Sequence, residues 1–473
     1  MIRRVENRRE DIACGYLRCA PVSVLLKRYD ERRNALSTAV VLLASVLLGI
    51  ASAADHPNVV FILSDDQGWE DYGFMGNEVV QTPHLDALAV ESRLYKKGYV
   101  VAPLCRPSLA SMVTGLHPHQ HGVVGNDVTP ARKLERDAED RPVRAAFHEH
   151  ESLIRFLVDR GYLAHQSGKW WEGTPADGGF THGMTHGDPA KGGRHGDVGL
   201  KIGREGIAPV EAFIDHAQAE EKPFFLWYAP FLPHTPHNPP ADILARYEGR
   251  GLTDGTAKYY AMCEWFDQTC GELVTSIERR GLRENTLIVY ICDNGWLAAD
   301  NSGISLPEGW WPGYAPKSKG SPYELGIRTP IFFSWPGQIE PAEQEGFASS
   351  LDLFPTIASL CGFEAPEGLP GIDLMEATRG SVKGAAYSIH NMTPGNPFET
   401  LQYSWMREGD WKFLRRHDGS DTTKYLTVHD WDRVPVQLFN LSQDPDETTN
   451  LADQHPEVVS RFQTQLNELF PQP

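Results

Sequence analysis

The chain has 473 residues, 41% of them hydrophobic, and a formal net charge of −19. This length exceeds what a single hydrophobic core usually supports, so we expect one large domain and one smaller domain. The apolar content argues against a disordered chain, and the negative charge argues against nucleic acid as a partner, because phosphate binding requires clustered lysine and arginine.

Residues 1–54 have the composition of a basic leader followed by an export signal. An apolar run covers residues 35–54, follows several arginines and ends in small residues up to Ala54. This order is typical of a secretory signal segment with cleavage near Asp55. The run is short for a membrane span, which needs about 20 apolar residues. We therefore expect a periplasmic or extracellular protein without a stable membrane span, and an uncleaved anchor is the alternative.

Four apolar runs of strand length follow along the chain. They cover Asn58–Leu63, Pro223–Ala229, Thr286–Cys292 and Pro330–Trp335. The first three are followed by polar groups, which are Asp65-Asp66, Pro233-His234-Thr-Pro-His237 and Asp293-Asn294. Continuous apolar runs are typical of buried parallel strands, and functional groups lie at the C-terminal ends of such strands.

Helical periodicity occurs between these runs. The predicted helices are Glu151–Arg160, Val210–Ala219, Tyr259–Arg280 and Asp352–Cys361. Strands that alternate with helices predict an α/β/α sandwich with a mostly parallel sheet over residues 55–385.

The character of the chain changes towards its C-terminal end. Short β-like pieces occur at Gln402–Arg407 and Trp411–Leu414, and a final helix is predicted over Glu457–Phe470. We therefore predict a small α+β subdomain over residues 386–473. Residues 178–206 and the region of Trp310 and Trp311 are predicted to be long loops above the strand ends, where functional residues tend to lie.

Five cysteines lie outside the leader, and we expect no disulfide framework. Cys263 and Cys270 are two turns apart on a predicted helix, about 10 Å between Cα atoms, which is too far for a disulfide. Cys105 is the candidate for chemistry, and the other cysteines are expected to be small core residues.

Two pairs of oxygen-bearing side chains, Asp65-Asp66 and Asp293-Asn294, each follow a predicted buried strand. Carboxylate and amide oxygens suit Ca²⁺ or Mg²⁺ better than zinc. Adjacent carboxylates repel each other, and a divalent cation compensates for that repulsion. The sequence therefore predicts one hard divalent ion here, whereas turn and helix-cap roles are the alternative for each pair taken alone.

Around these residues the chain resembles the formylglycine-dependent sulfatase family of the alkaline-phosphatase-like superfamily. The resemblance runs from Asn58 to about Leu451 and keeps the order and the spacing of the family's motifs. These motifs are Thr82–Asp86, the Cys105 segment, Gly161–Trp170, Pro233–Pro236, Asp293–Gly295, Lys319–Pro330, Leu353–Thr356 and Leu438–Pro445. The resemblance implies the α/β/α sandwich of that superfamily with a small C-terminal α+β subdomain.

The resemblance also implies a set of site residues. Cys105 corresponds to the cysteine that a maturation enzyme converts to formylglycine, whose hydrated form attacks the sulfur atom beside Ca²⁺, the expected ion in preference to Mg²⁺. Lys169 and Lys319 correspond to lysines that contact the sulfate, and His234 to the histidine that protonates the leaving oxygen. The implied metal ligands are Asp65, Asp66, Cys105, Asp293 and Asn294.

Two positions depart from the family pattern. Leu109 replaces the arginine of the Cys-x-Pro-Ser-Arg signature, and Trp171 replaces a histidine that assists the second hydroxyl. The loss of one charged donor at a transition state typically costs about 10²–10³ in rate. Residues that could take over these roles are Arg106, His182, His186, Arg194 and His195.

The sequence allows two interpretations for each of two nearby features. His237 is either a residue that packs within its loop or a ligand. Trp296, Trp310 and Trp311 form either a stacking surface for a sugar ring or a hydrophobic lid over the sheet.

The leading hypothesis is a sulfuric ester hydrolase that acts on a sulfated carbohydrate or an aryl sulfate through a metal-bound formylglycine at Cys105. The expected partners are a sulfated small molecule or glycan and, if Cys105 is modified, a formylglycine-generating maturation enzyme. One alternative is a phosphodiesterase or phosphonate monoester hydrolase on the same scaffold. The other is a protein without activity that binds sulfated glycans through Lys169 and Lys319.

Overall fold

The computed structural model describes residues 56–128, 136–186, 197–296, 317–388, 392–419 and 434–470. The predicted leader and signal segment lie outside these residues, as do Arg194, His195, Trp310 and Trp311. Within the described ranges, no helix combines the length and the apolar composition that crossing a lipid bilayer requires.

Strands from two separate sheets occur in the described residues. In chain order they are β1 (Asn58–Ser64), β2 (Arg93–Tyr99), β3 (Leu163–Gly168), β4 (His182–Gly183), β5 (Phe224–Ala229), β6 (Thr286–Cys292), β7 (Arg328–Ser334), β8 (Ala342–Glu343), β9 (Ala348–Ser349), β10 (Ser381–Tyr387), β11 (Leu401–Glu408), β12 (Trp411–Arg416) and β13 (Val436–Asn440). The sequence patterns predict most of the longer strands but not β2, β3, β10 or β13.

Helices connect these strands. They are α1 (Pro83–Val90), α2 (Cys105–Thr114), α3 (Pro118–His121), α4 (Arg136–His148), α5 (Leu153–Val158), α6 (Ala208–Ala219), α7 (Ala241–Leu244), α8 (Asp254–Arg279), α9 (Glu324–Ile327), α10 (Leu353–Leu360) and α11 (Pro456–Asn467). Short 3-10 helices cover Gly73–Met75, Asp197–Lys201, Arg283–Asn285 and Ser350–Asp352.

The large sheet has the strand order β4-β3-β5-β1-β6-β7-β2-β8, and β9 also pairs with β2. Strands β3, β5, β1 and β6 run parallel to one another, whereas β7 is antiparallel to both of its neighbours, β6 and β2. Every residue of β1, β5 and β6 is buried. The predicted mostly parallel sheet is therefore confirmed.

Side chains that alternate along β1 pack into two different hydrophobic clusters, one on each face of the sheet. Phe61 shares a cluster with Met112 of α2 and Phe354 of α10. Ile62 shares the other cluster with Phe266 of α8. A central strand that is covered by helices on both faces is the α/β/α sandwich that the sequence predicts.

The small sheet is antiparallel, with its strands in chain order from β10 to β13. Helix α11 packs on it, with the ring of Phe462 5.9 Å from that of Phe413. This sheet confirms the predicted C-terminal β structure, and it begins at Ser381.

A buried charged network joins the small sheet to the segment that leads into β7. The ammonium group of Lys412 lies 2.9 Å from Glu324 Oε1 and 3.5 Å from Glu447 Oε1. Glu447 Oε2 in turn accepts a 2.8 Å hydrogen bond from the backbone N–H of Glu324. The Lys412 side chain is completely inaccessible to solvent. One buried lysine therefore compensates two buried carboxylates.

We expect the substitution Lys412→Met to lower the free energy of unfolding by about 3–5 kcal/mol, because it leaves Glu324 and Glu447 buried without their shared cation. Urea denaturation of the whole protein measures this change. Lys222→Met is the matched control, since Lys222 is exposed and is expected to change stability by less than about 0.5 kcal/mol. Equal effects of both substitutions would contradict this account of the network.

Candidate active site

The ends of β1 and β6 place the two pairs of oxygen-bearing side chains, Asp65-Asp66 and Asp293-Asn294, side by side. Ser64 of β1 is the register partner of Cys292 of β6, so the residues that follow leave the sheet at the same level. The backbone N–H of Asp293 donates to the carbonyl of Ser64 at 3.0 Å. Asp66 adopts the left-handed conformation with φ 62°, which is uncommon for a residue other than glycine. Its N–H donates to Asp293 Oδ1 at 3.1 Å, which ties the two pairs together.

Lys169 follows the end of β3, and its side chain reaches one carboxylate of each pair. A Cβ atom at the preceding Gly168, which has φ 84°, would lie 1.8 Å from the carbonyl oxygen of Ala229, so only glycine allows this close approach of the two chains. The ammonium group of Lys169 lies 2.6 Å from Asp65 Oδ1 and 3.0 Å from Asp293 Oδ2. Burial alone would lower the pKa of Lys169, but the two carboxylates outweigh it and raise this pKa well above its ordinary value.

Lys319 approaches from the segment that precedes α9. Its backbone N–H donates to the carbonyl of Trp296 at 3.1 Å. A Cβ atom at Gly295 would lie 1.7 Å from the carbonyl oxygen of Leu325. The backbone directly after Asn294 therefore packs against the backbone of α9. The Lys319 ammonium group donates to Asp66 Oδ1 and lies 3.0 Å from Cys105 Sγ. Lys319 therefore links the carboxylate of Asp66 to the thiol of Cys105.

Cys105 is the first residue of α2 and is 2% exposed. Burial raises the pKa of its thiol to about 12, although Lys169 and Lys319 act in the opposite direction. Ligand atoms of Cys105, Asp65, Asp66 and Asp293 all lie within 4.8 Å of one another. Among the described residues, these four are the group of acidic, cysteine and histidine side chains that could hold a metal ion.

His234 completes the arrangement from the loop after β5. Its Nδ1 lies 2.6 Å from the carbonyl oxygen of Thr235, which can only accept, so Nδ1 carries a proton. Its Nε2 lies 3.3 Å from Asp66 Oδ2. The pKa of His234 is lowered to about 4, because burial, Lys319 and Lys169 together outweigh the opposing effect of Asp66. All of the side chains predicted for the site thus lie together in the structure.

The charges and the free oxygens of this group fit a divalent cation. Three buried carboxylates, those of Asp65, Asp66 and Asp293, face only two lysine ammonium groups. Burial raises the pKa of Asp293 to about 6, and the neighbouring carboxylate of Asp65 acts in the same direction. Asp65 Oδ2, Asp66 Oδ2 and Asn294 Oδ1 are buried and receive no hydrogen bond from the described residues. Unpaired buried oxygens of this kind are the ligands that Ca²⁺ and Mg²⁺ use.

Leu109 and Trp171, the two departures from the family pattern, are both buried. They are 4% and 8% exposed and belong to the same hydrophobic cluster, which also contains Cys105. An apolar surrounding thus takes the place of the charged and polar groups that the family pattern has there.

Arg106 does not supply the missing charge, because two carboxylates already neutralise it. Its Nε donates to Glu172 at 2.7 Å, and its Nη1 pairs with Asp140. His182 packs against the ring of Phe213, 5.4 Å between centroids, at the edge of the sheet. The described candidates Arg106 and His182 are therefore engaged elsewhere, and His186 is exposed.

Sequence reasoning missed Phe231, whose ring lies 4.0 Å from the ring of His234 and 5.3 Å from the ammonium group of Lys169. It also missed Glu172 and Asp140, the partners of Arg106. For Phe231 a signal existed, because only Leu232 separates this aromatic residue from the Pro233-His234 motif. Asp140 and Glu172 lie far along the chain from Arg106, and no local pattern marks them.

A solved structure with the same fold is the crystal structure of Ps i-CgsB in complex with k-i-k-neocarrahexaose. It superposes with a TM-score of 0.65 at 23% sequence identity and covers 87% of this chain and 92% of its own. At this level of identity the similarity shows the fold.

Sequence comparison identifies the family. Human arylsulfatase A is 28% identical over 484 residues, which is 88% of this chain and 88% of the relative. The N-acetylgalactosamine-6-O-sulfatase of Bacteroides thetaiotaomicron is 26% identical over 88% of this chain and 93% of its own. The N-sulphoglucosamine sulphohydrolase C-terminal model matches residues 318–472, and the sulfatase model matches residues 57–363. The chain therefore belongs to the sulfatase family.

Proposed function

We propose that this protein hydrolyses a sulfate ester of a carbohydrate or of an aryl alcohol. The observation that carries the proposal is the convergence of Lys169, Lys319 and His234 on Cys105 and on the carboxylates at the strand ends. Two ammonium groups and an imidazole in a buried pocket can bind an oxyanion that the protein as a whole, with its net charge of −19, would repel.

In this proposal Lys169 and Lys319 bind the sulfate group. Both ammonium groups are buried, so their attraction to the sulfate oxygens is screened little by water. Lys319 lies next to Cys105, which places a sulfate oxygen bound to this lysine close to the residue that attacks. Positive charge at these oxygens stabilises the transition state of sulfuryl transfer.

A divalent cation, Ca²⁺ in our proposal, would be held by the carboxylates, by Asn294 and by residue 105, and would supply charge that lowers the pKa of a neighbouring hydroxyl. Formylglycine, which the maturation enzyme would form from Cys105, would supply that hydroxyl after its aldehyde has added water. The buried thiol itself, with its raised pKa, is a poor source of nucleophile.

In this proposal His234 donates a proton to the leaving oxygen. Because Nδ1 holds its proton on the Thr235 carbonyl, Nε2 is the nitrogen that turns to the pocket and must gain a proton before it can donate. Phe231 covers one face of the imidazole and excludes water from it. The leaving oxygen is therefore expected on the Nε2 side of His234.

The relatives support a glycan as substrate, since one of them is a bacterial N-acetylgalactosamine-6-O-sulfatase. We further propose export through the segment that ends near Ala54. The second candidate function is the binding of sulfated glycans without turnover, and the burial of Leu109 and Trp171 in apolar surroundings favours it. A phosphodiesterase or phosphonate monoester hydrolase would use the same pocket for a phosphoryl group.

Turnover and the state of Cys105 test the proposal together. We expect the protein made in its own host to release sulfate from aryl sulfate or N-acetylgalactosamine 6-sulfate, and we expect mass spectrometry of the Cys105 peptide to show the aldehyde. Cys105→Ala should abolish turnover. Cys270→Ala, which truncates a buried cysteine in the hydrophobic cluster on the other face of the sheet, is the control and should retain it.

Different results separate the three functions. Hydrolysis of phosphonate monoesters without hydrolysis of sulfate esters would support the phosphoryl enzyme. Tight binding of a sulfated sugar with an unmodified cysteine and no turnover would support the binding protein. Either result overturns the hydrolysis of sulfate esters.

We expect Ca²⁺ to raise the melting temperature of protein that has been stripped with a chelator, because the ion binds the folded state alone. At 100 times the dissociation constant the gain in stability is about 2.7 kcal/mol. Asp65→Asn should remove most of this gain, whereas Asp215→Asn, at an exposed carboxylate on α6, should keep it. An unchanged Ca²⁺ response in the Asp65 variant, measured by calorimetry, would contradict the proposed ligand set.

A further inference from the structure

We propose that Arg204, with His237 and Asn238 beside it, forms a second anion-binding subsite on the leaving-group side of the pocket. The substrate would then carry another acidic group, a carboxylate or a second sulfate, in addition to the sulfate that is cleaved. This inference rests on the proposed function and names the substrate class of the same site.

Arg204 is anchored to the loop that carries His234. Its Nη2 donates to the carbonyl oxygen of Phe231 at 3.0 Å, and its Nη1 donates to Asn238 Oδ1 at 2.8 Å. Phe231 is the residue whose ring lies against the imidazole of His234. The guanidinium group therefore contacts this loop on both sides of His234, next to the place where the leaving oxygen is expected.

A short turn holds Arg204 in this position. Gly203 N–H donates to the carbonyl oxygen of Gly206 at 3.1 Å, and these two glycines form an isolated bridge around Arg204. The guanidinium carbon also lies 5.2 Å from the centre of the Trp265 ring, which supports the flat face of the group. The position of the cation is thus fixed before any ligand arrives.

Among the residues that the structure describes, no close carboxylate compensates the charge of Arg204. Both of its hydrogen-bond partners are neutral oxygens, whereas Arg106 and Arg280 each contact acidic side chains. A guanidinium group has five N–H donors, and the described residues use two of those of Arg204. Burial lowers the pKa of Arg204, and Asp65, which Lys169 already neutralises, is the acid that opposes this effect. An anion in this place would remove the cost of a half-buried unpaired cation.

His237 adds a second donor to the same side. Its ring lies 5.6 Å from that of Tyr259, and its Nδ1 is buried without a hydrogen-bond partner among the described residues. Asn238, the next residue, is held by Arg204. In this subsite His237 takes the second of the two roles that the sequence leaves open, that of a ligand-binding residue.

Binding measurements with sugars that differ by one acidic group test this subsite. The full-length Cys105→Ala protein, which does not turn over, is titrated in a calorimeter with inorganic sulfate and with three sugars. These are N-acetylgalactosamine 6-sulfate, its 4,6-disulfate, and a 6-sulfated disaccharide that carries a uronate. We expect the disulfate, the uronate sugar or both to bind about ten- to a hundredfold more tightly than the monosulfate, as a charged hydrogen bond implies.

The substitution Arg204→Met should remove this preference and leave the affinities for inorganic sulfate and for the monosulfate within about twofold. Arg204→Lys should keep part of the preference, because it keeps the charge. Arg250→Met removes the same charge from an exposed arginine that contacts the ring of Tyr247, and it should change nothing. Melting temperatures of the variants show that each one is folded.

The outcomes separate the subsite from the proposed function. A preference for the second sulfate alone or for the uronate alone identifies which acid the subsite accepts. If sulfate and the monosulfate bind but a second acidic group gives no advantage that depends on Arg204, the subsite is wrong and the proposed function stands. If inorganic sulfate and all three sugars fail to bind, the proposed function and the subsite are both overturned.

Discussion

The structure of the site depends on one electrostatic constraint, the presence of three buried carboxylates where β1 and β6 end. Carboxylates so close together stay ionised only if cations lie beside them. Lys169 and Lys319, from two different parts of the chain, form ion pairs with them. Each lysine reaches the carboxylates because the backbone near it packs without a side chain, at Gly168 and at Gly295. The remaining negative charge and the free oxygens explain why a divalent ion fits the same place.

Cys105 contacts charged groups and also belongs to a hydrophobic cluster. Lys319 and the carboxylates lie beside its thiol, whereas Leu109 and Trp171 are buried in the same cluster as Cys105. Arg106, the next residue, instead forms separate buried ion pairs with Asp140 and Glu172. In the function that we propose, the residues assigned to sulfate binding are thus kept, while apolar side chains stand at the two positions that depart from the family pattern.

Much of this arrangement could be predicted from the sequence, because apolar runs that stop at polar groups mark the ends of parallel strands. Strand β3 could not, since its buried side chains are polar: Gln166 donates to the Gly168 carbonyl at 2.6 Å and Ser167 to the Trp227 carbonyl at 2.8 Å. Strand β2 contains lysines and a shift of register, which hide its alternation. The pairing of Arg106 with Glu172 joins distant parts of the chain, and only the folded structure reveals it.

The network around Lys412 has a consequence for engineering. Lys317 donates to the backbone carbonyls of Asp446 and Glu447, which follow β13, and Lys412 of β12 holds Glu324. The loop that presents Lys319 is therefore held at both ends by the C-terminal part of the chain. A chimera that keeps this chain up to the start of β10 at Ser381 and takes the C-terminal sheet from a relative would lose these contacts. Modular exchange between such proteins must therefore carry the loop and its sheet together as one transferable block.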